Sequence, residues 1–243
     1  MKDGIAETSN VRSLYLATTA LTDRQERIAI VYGESGSGKT TALINTQNST
    51  NCVVVKASPT WTPKWMLTAL CEQLGLRPQG QSQPMFDEIV RQLQASRRTI
   101  LLDEANFIVE CLESRNILSI LGTLYRIHDD AEVPIILFGL SSFPKYLGQK
   151  ASRNETVDAF KQRCVQEIQF QKCNFADARL VADLRCEVKV SDTLLTKIVG
   201  DINGSFRRLI VALTDIEREA IAQGWKEIDL PQVEALKKSK RAA

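Results

Sequence analysis

Directly after the apolar run Ile28-Ala29-Ile30-Val31-Tyr32 the chain reads Gly33-Glu34-Ser35-Gly36-Ser37-Gly38-Lys39-Thr40, a complete GxxxxGK[ST] pattern. No other feature of the sequence narrows the possible folds so far. The glycines let successive backbone N–H groups turn around a phosphate, and the helix that follows adds the positive end of its dipole. Such a loop works where a strand passes through it into a helix, so the pattern predicts a strand–loop–helix unit and an α/β sheet around it. Lys39 is placed for the β- and γ-phosphates and the Thr40 hydroxyl for Mg²⁺, with Thr41 completing the expected nucleotide-binding set.

Three more short apolar runs, at 53–55, 100–102 and 135–138, read as strands buried on both faces, and 165–170 alternates as an edge strand does. Helical periodicity fills the intervals 39–46, 63–74, 85–96 and 114–128. Beyond residue 174 the strand runs stop. Phe206, Leu209, Ile210, Leu213, Ile216, Ala220 and Ile221 form a helical stripe over 205–222, flanked by shorter helical segments at 177–186, 192–199 and 231–238. The expected organisation is an α/β nucleotide-binding core over 1–172, a small helical domain over 173–236 and a basic tail over 237–243.

Composition excludes more than it identifies. Apolar residues are 44% and charged residues 25%, as in ordinary globular chains, and no apolar run approaches the ~20 residues that span a bilayer. The start, MKDGIAETSN, has no basic-then-apolar leader, and six cysteines are scattered without a CxxC pair, so reduced thiols in a cytoplasmic protein are expected. With His128 as the one histidine, a histidine-rich metal site or a Ser-His-Asp triad is disfavoured; His128 is expected as a surface cap at the end of its helix. The net charge is +2 and neither half is strongly basic, so any polyanion would have to be held by a local stripe repeated around an assembly.

A nucleotide site also needs an acid at the tip of a neighbouring strand, and Thr99-Ile-Leu-Leu-Asp103-Glu104 supplies two. Asp103 suits Mg²⁺, held through water, and Glu104 suits the group that polarises an attacking water. The pair favours hydrolysis over simple binding.

Together, GESGSGKT, ILLDEA, ILFGLSS at the tip of another strand and a helical C-terminal region resemble the AAA+ ATPases over nearly the whole chain. The resemblance implies an α/β fold: a P-loop AAA+ core with a parallel five-stranded sheet flanked by helices, plus a small C-terminal helical lid domain. It implies ATP and Mg²⁺ as cofactors, and Ser141 or Ser142 as the residue that senses the γ-phosphate, Ser141 being preferred. It implies that Arg163 acts in trans in a neighbouring subunit's site, with Arg153 as the second choice. Arg207, in Gly204-Ser-Phe-Arg207, would reach the nucleotide of its own subunit, with Arg208 as the alternative.

Between the second and third strands lies Lys56-Ala-Ser-Pro-Thr-Trp61-Thr-Pro-Lys64-Trp65, then a helix that ends at Leu74-Gly75-Leu76-Arg77. An extra helical element there resembles initiator-type AAA+ ATPases. The whole set is similar to the transposition-activating ATPases, the group of the phage Mu B transposition protein and related transposon regulators. That resemblance implies an ATP-dependent, sequence-nonspecific DNA-binding ATPase. It would self-associate into a ring or helical filament on double-stranded DNA, select the target and activate a transposase. Trp61, Lys64 and Arg77 are the expected DNA contacts, with the tail cations Lys237, Lys238, Lys240 and Arg241 behind them. The phage Mu protein has in addition an N-terminal helix-turn-helix domain; here the ATPase core is expected to bind DNA itself. A second class stays open: a non-DNA AAA+ switch or motor, such as the partner of a secretion or envelope-associated apparatus. A small-molecule kinase is disfavoured, because 114–128 reads as an apolar helix and not as an arginine-rich lid.

Overall fold

The computed structural model describes residues 4–24, 28–78, 80–110 and 114–242, with side chains for all of these except 22–24, 114 and 237–242. The chain divides into two compact units. A sheet unit comprises 13–33 and 42–169; a loop unit comprises 1–12, 34–41 and 170–243. The expected core boundary at 172 thus falls three residues later than the structural one, and the phosphate-loop residues group with the C-terminal segment.

The sheet unit holds most of α1 (Ser9–Arg24), then β1 (Ile28–Tyr32), α2 (Lys39–Ser49, from its fourth residue), β2 (Cys52–Lys56), α3 (Pro63–Leu74) and α4 (Ser82–Ser96). Next come β3 (Thr99–Asp103), α5 (Asn106–Glu110), α6 (Ser114–Ala131), β4 (Ile135–Gly139), α7 (Phe143–Ala151), α8 (Glu155–Gln162) and β5 (Cys164–Gln169). The five strands form one parallel sheet in the order β2-β3-β4-β1-β5. All five expected strands are there. β3 and β4 are buried at every position, and β5 is an edge strand whose pairing with β1 slips by one residue at Val165.

Local chemistry sets the helix ends. Thr62 accepts a hydrogen bond from the Trp65 N–H, Pro63 opens α3, and Gly75 closes it at φ 74°, its N–H reaching Cys71 O and Glu72 O. Asn154 caps α8 by accepting from the N–H groups of Thr156 and Val157. At the end of α6, His128 is buried (4% exposed), with Nδ1 2.8 Å from Val133 O. The expected surface cap is therefore corrected: the ring's apolar face is worth burying once its nitrogen has a backbone partner.

The loop unit contains α9 (Phe175–Arg185), β6 (Lys189–Val190), α10 (Asp192–Asp201), α11 (Phe206–Ala222), β7 (Glu227–Ile228) and α12 (Leu230–Ala242). Its core gathers Val181, Leu195, Leu209, Leu213 and Ile228. The expected all-helical domain is amended by the parallel pair β6–β7, each strand two residues long. The tail continues α12 in its backbone; the cations expected to contact DNA there, Lys237, Lys238, Lys240 and Arg241, have side chains outside the described residues.

The five cysteines among the described residues are free thiols. Burial pushes Cys164 and Cys173 up to about 12 and Cys186 to about 11, so they stay protonated at neutral pH.

Candidate functional site

Because β3, β4 and β1 are adjacent and parallel, their C-terminal ends share one edge of the sheet. Gly33 N–H donates to Gly139 O there (3.3 Å), and Ala105 N–H donates to Phe138 O (2.7 Å). Asp103, at the end of β3, is 7% exposed; its carbonyl accepts from Ala57 N–H (2.9 Å), and its Oδ1 from the Glu104 N–H (2.9 Å). Glu104 has φ 55°, the left-handed region, at a backbone cost of about 1 kcal/mol that its neighbours on both sides of the sheet edge enforce. Glu104 is half-buried. One residue on from Ala105, the Asn106 Oδ1 is buried without a hydrogen-bond partner.

Ser141 and Ser142 follow β4. Ser142 occupies the N-cap position of α7 without capping it, because its hydroxyl donates to Glu110 Oε1 (2.8 Å). Ser141 is exposed. Arg163, at the opposite end of the sheet before β5, pairs with Asp129 through Nε and Nη2 at 3.0 Å each, and its guanidinium lies 3.8 Å from the Tyr125 ring centroid. Arg153, exposed after α7, lines a polar pocket with Glu110, Tyr146 and Lys150.

In the loop unit, Gly36 (φ 82°) and Gly38 (φ 86°) hold the left-handed turns that let the loop curl. A Cβ on Gly36 would lie 2.5 Å from Ser205 Oγ and 3.6 Å from Arg207 Cβ. The start of α11 therefore lies directly on the loop, and Phe206 N–H donates to Gly36 O at 2.9 Å. Ser205 caps that helix by accepting from Arg208 N–H (3.3 Å), which orders the pattern residues 204–207 against the loop. Arg207 has its Cβ beside the loop, and Arg208 is one position further along the helix. Lys39 Nζ donates back to Glu34 O (2.9 Å), and the Glu34 carboxylate pairs with Lys172 (3.4 Å). Ser37 N–H also returns to Glu34 O (3.2 Å), while Thr40 and Thr41 are exposed at the head of α2.

Two features had no place in the sequence reading. One is α1, whose buried stripe Val11, Leu14, Thr18 and Leu21 carries a helical period that would have revealed it. The other is the segment 4–12 itself. It brings Asn10 to Ser37 O, and with Val181, Phe206, Ile210 and Arg185 its residues Ile5 and Ala6 enclose a small apolar cavity beside Gly38 and Thr41.

The expected DNA contacts divide. Lys64 and Arg77 are exposed, at the first turn of α3 and just after α3. Trp61 is 6% exposed and packs in the sheet-unit core with Met66 and Leu70, so its expected role is corrected: the ring is covered by apolar neighbours. The exposed ring is its neighbour Trp65, at 64%.

A family model described as AAA domain matches residues 22–147. No curated protein matches the chain at the sequence level. Among solved structures, the fold is similar to the ORC2 protein of Aeropyrum pernix in ADPNP-ADP complexes, with TM-score 0.68 and 17% identity, covering 94% of this chain and 67% of that one. Cdc6p from Pyrobaculum aerophilum gives TM-score 0.64 and 16% identity, over 94% and 66%. Drosophila ORC bound to DNA gives TM-score 0.59 and 12% identity, over 90% and 56%. The chain spans about two thirds of the length of the first two.

Proposed function

The chain belongs to the AAA domain family, and we propose that it is an ATP-hydrolysing switch whose ATP-bound form assembles on double-stranded DNA with little sequence preference. The observation that carries the nucleotide half is the phosphate loop, with its glycines in left-handed turns and Arg207 seated beside Gly36. The loop's N–H groups wrap the phosphates, and the Lys39 ammonium, which donates to Glu34 O (2.9 Å) and lies 3.5 Å from Ser37 Oγ, turns to a phosphate oxygen, where both partners of the bond are charged.

Thr40 and Asp103 offer hard oxygen donors, the kind Mg²⁺ takes while keeping most of its waters; Thr40 would bind directly and Asp103 through water. Mg²⁺, when bound, neutralises charge on the β- and γ-phosphates. Glu104 takes the proton of the attacking water. Ser142 is engaged with Glu110, so Ser141 is the hydroxyl left to sense the γ-phosphate. Arg207 acts within its own subunit. Arg163 acts in a neighbour's site after releasing Asp129, to which it is held by two hydrogen bonds of 3.0 Å beside the Tyr125 ring.

The DNA half rests on Lys64, Trp65 and Arg77, exposed around α3, and on the likeness in fold to an ORC structure described as bound to DNA. Each subunit supplies one or two phosphate contacts, so binding depends on ATP-linked assembly and falls steeply with salt. The finer reading, target selection and activation of a transposase, rests on the motif resemblance. The test is a salt titration of binding to unrelated DNA duplexes with ATP, ADP or no nucleotide. Tight binding is expected only with ATP, equal between sequences, and abolished by Lys64→Glu with Arg77→Glu while nucleotide binding persists. Absence of DNA binding by the wild type with ATP at low salt would leave the non-DNA switch as the function.

A further inference from the structure

Asn10 is a buried polar side chain of the loop unit, in contact with the phosphate loop, that none of these roles uses. It is 4% exposed and makes three hydrogen bonds to distant backbone: Nδ2 donates to Ser37 O (3.1 Å) and Gln171 O (2.9 Å), and Oδ1 accepts from Gln171 N–H (2.9 Å). Three of its four hydrogen-bonding positions are filled, so the amide is buried without penalty. A hydrocarbon of the same size would remove all three of these hydrogen bonds. Its two partners differ in kind. Ser37 is inside the phosphate loop; Gln171 lies in the segment 170–174, which leads from β5 into α9.

The Ser37–Gly38 peptide is planar and trans, so its C=O and N–H point in opposite directions. With the carbonyl held by Asn10, the Gly38 N–H is fixed toward the other face of the loop. The preceding carbonyl, Gly36 O, is held by Phe206 N–H. Two successive carbonyls are thus pinned from outside, which orients the loop before any phosphate arrives. Asn10 is itself fixed by its neighbour: Ser9 N–H and Oγ donate to the two oxygens of the buried Asp177 carboxylate (2.7 and 2.9 Å). Asp177 N–H is in turn capped by Asn174 Oδ1 (2.9 Å), so residues 9, 10, 37, 171, 174 and 177 form one connected polar network.

We infer that Asn10 is a positioning residue for the phosphate loop and the link through which occupancy of that loop is felt at segment 170–174; this rests on the nucleotide reading above. The Ser37 peptide cannot rotate without losing Asn10, and Asn10 cannot move without releasing Gln171. Phosphate binding to the loop therefore tightens 170–174.

Hydrogen–deuterium exchange with and without ATP, paired with titration of a fluorescent ATP analogue, tests this on the full chain. In the wild type, nucleotide slows exchange at 36–39 and at 170–174 together. Asn10→Ala weakens nucleotide affinity about tenfold, the scale of one or two oriented hydrogen bonds. At saturating nucleotide its 36–39 segment is still protected, while 170–174 no longer responds. Asn10→Asp, which when ionised keeps the acceptor but has no donor, behaves as Asn10→Ala does. A merely structural asparagine would raise exchange in every state and leave the nucleotide response of 170–174 intact. Wild type that binds no nucleotide overturns the nucleotide reading, and this inference with it. Wild type that protects 36–39 but not 170–174, or Asn10→Ala that binds as tightly as wild type, overturns the role of Asn10 alone. If neither variant folds, a wild type that protects 36–39 without 170–174 still overturns the inference.

Discussion

The phosphate loop and the acid pair both leave the same edge of one sheet, after β1 and β3, yet they are held in opposite ways. Loop residues 36–38 depend on groups far off in sequence: Asn10 at Ser37 O, Phe206 N–H at Gly36 O, and Ser205 against the bare Cα of Gly36. Asp103 and Glu104 are held by the sheet itself, between Ala57 N–H and the Ala105–Phe138 bond. The loop is an assembly of borrowed polar contacts; the pair is a product of strand register. Changes around the loop should therefore alter binding, and changes at the pair should alter chemistry.

The largest expected effect isolates the chemistry. Glu104→Gln should lower phosphate release by about 100-fold or more and leave ATP affinity nearly unchanged, since a positioned proton acceptor contributes on that scale. Normal turnover in this variant would mean that the pair has no such role and that the contrast is empty. Next in size is Gly36→Ala, where the left-handed φ and the 2.5 Å approach of Ser205 Oγ both oppose a methyl group. Nucleotide affinity should fall about tenfold or more, read by titration of a fluorescent analogue. Gly75→Ala makes the control. It shares a positive φ but meets nothing within 4 Å, so thermal melting should register a loss of about 1 kcal/mol while affinity stays put.

A smaller effect tests whether a neighbour completes the site. Mixing Arg163→Ala chains with Lys39→Ala chains should restore a few-fold ATPase activity over either alone, and wild-type activity per subunit should rise with concentration. No recovery at any ratio would leave Arg163 as the partner of Asp129 and Tyr125 only.

Much of this architecture was legible in the sequence. The apolar runs gave four of the strands because a parallel sheet buried on both faces admits few polar residues, and β5 with its edge position followed from its alternation. The nucleotide-binding loop was explicit because glycine at Gly36 and Gly38 answers a backbone demand that no other residue meets. What escaped had no local signature. Nothing around Asn10 predicts that its amide meets Ser37 and Gln171, because those bonds exist only after distant segments come together. Trp61 and Trp65 are equally apolar and four apart; only the packing of α3 decides which ring is buried. His128 likewise finds its partner in a turn, at Val133, that periodicity does not describe.

The smallest expected effect compares the units as folded bodies. Cys164 in the sheet unit and Cys173 and Cys186 in the loop unit are held protonated by burial. In iodoacetamide labelling followed by peptide mass spectrometry, all three should resist at pH 8 and react once denaturant is added. The two loop-unit thiols should become reactive at lower denaturant than Cys164, and nucleotide should narrow the gap. The sign of the pH dependence follows: a raised thiol pKa contributes stability that is full below the unfolded value of 9.0 and is lost as pH rises toward 12. Equal labelling of all three would mean that the units open as one.

The loop unit is drawn from three separate stretches of chain, 1–12, 34–41 and 170–243. On a ribosome that delivers the chain from its N-terminus, every strand of the sheet has been synthesised once residue 169 is made, and the sheet unit can fold when that stretch clears the exit tunnel. The loop at 34–41 must wait. Gln171, which anchors Asn10, and Phe206, which holds Gly36, are synthesised more than 120 residues after the loop they support. A chain cut before residue 170 would carry the complete glycine-lysine motif and still lack Gln171 and Phe206, the groups that hold the loop, so competence to bind nucleotide is acquired only after the whole sheet unit has been made.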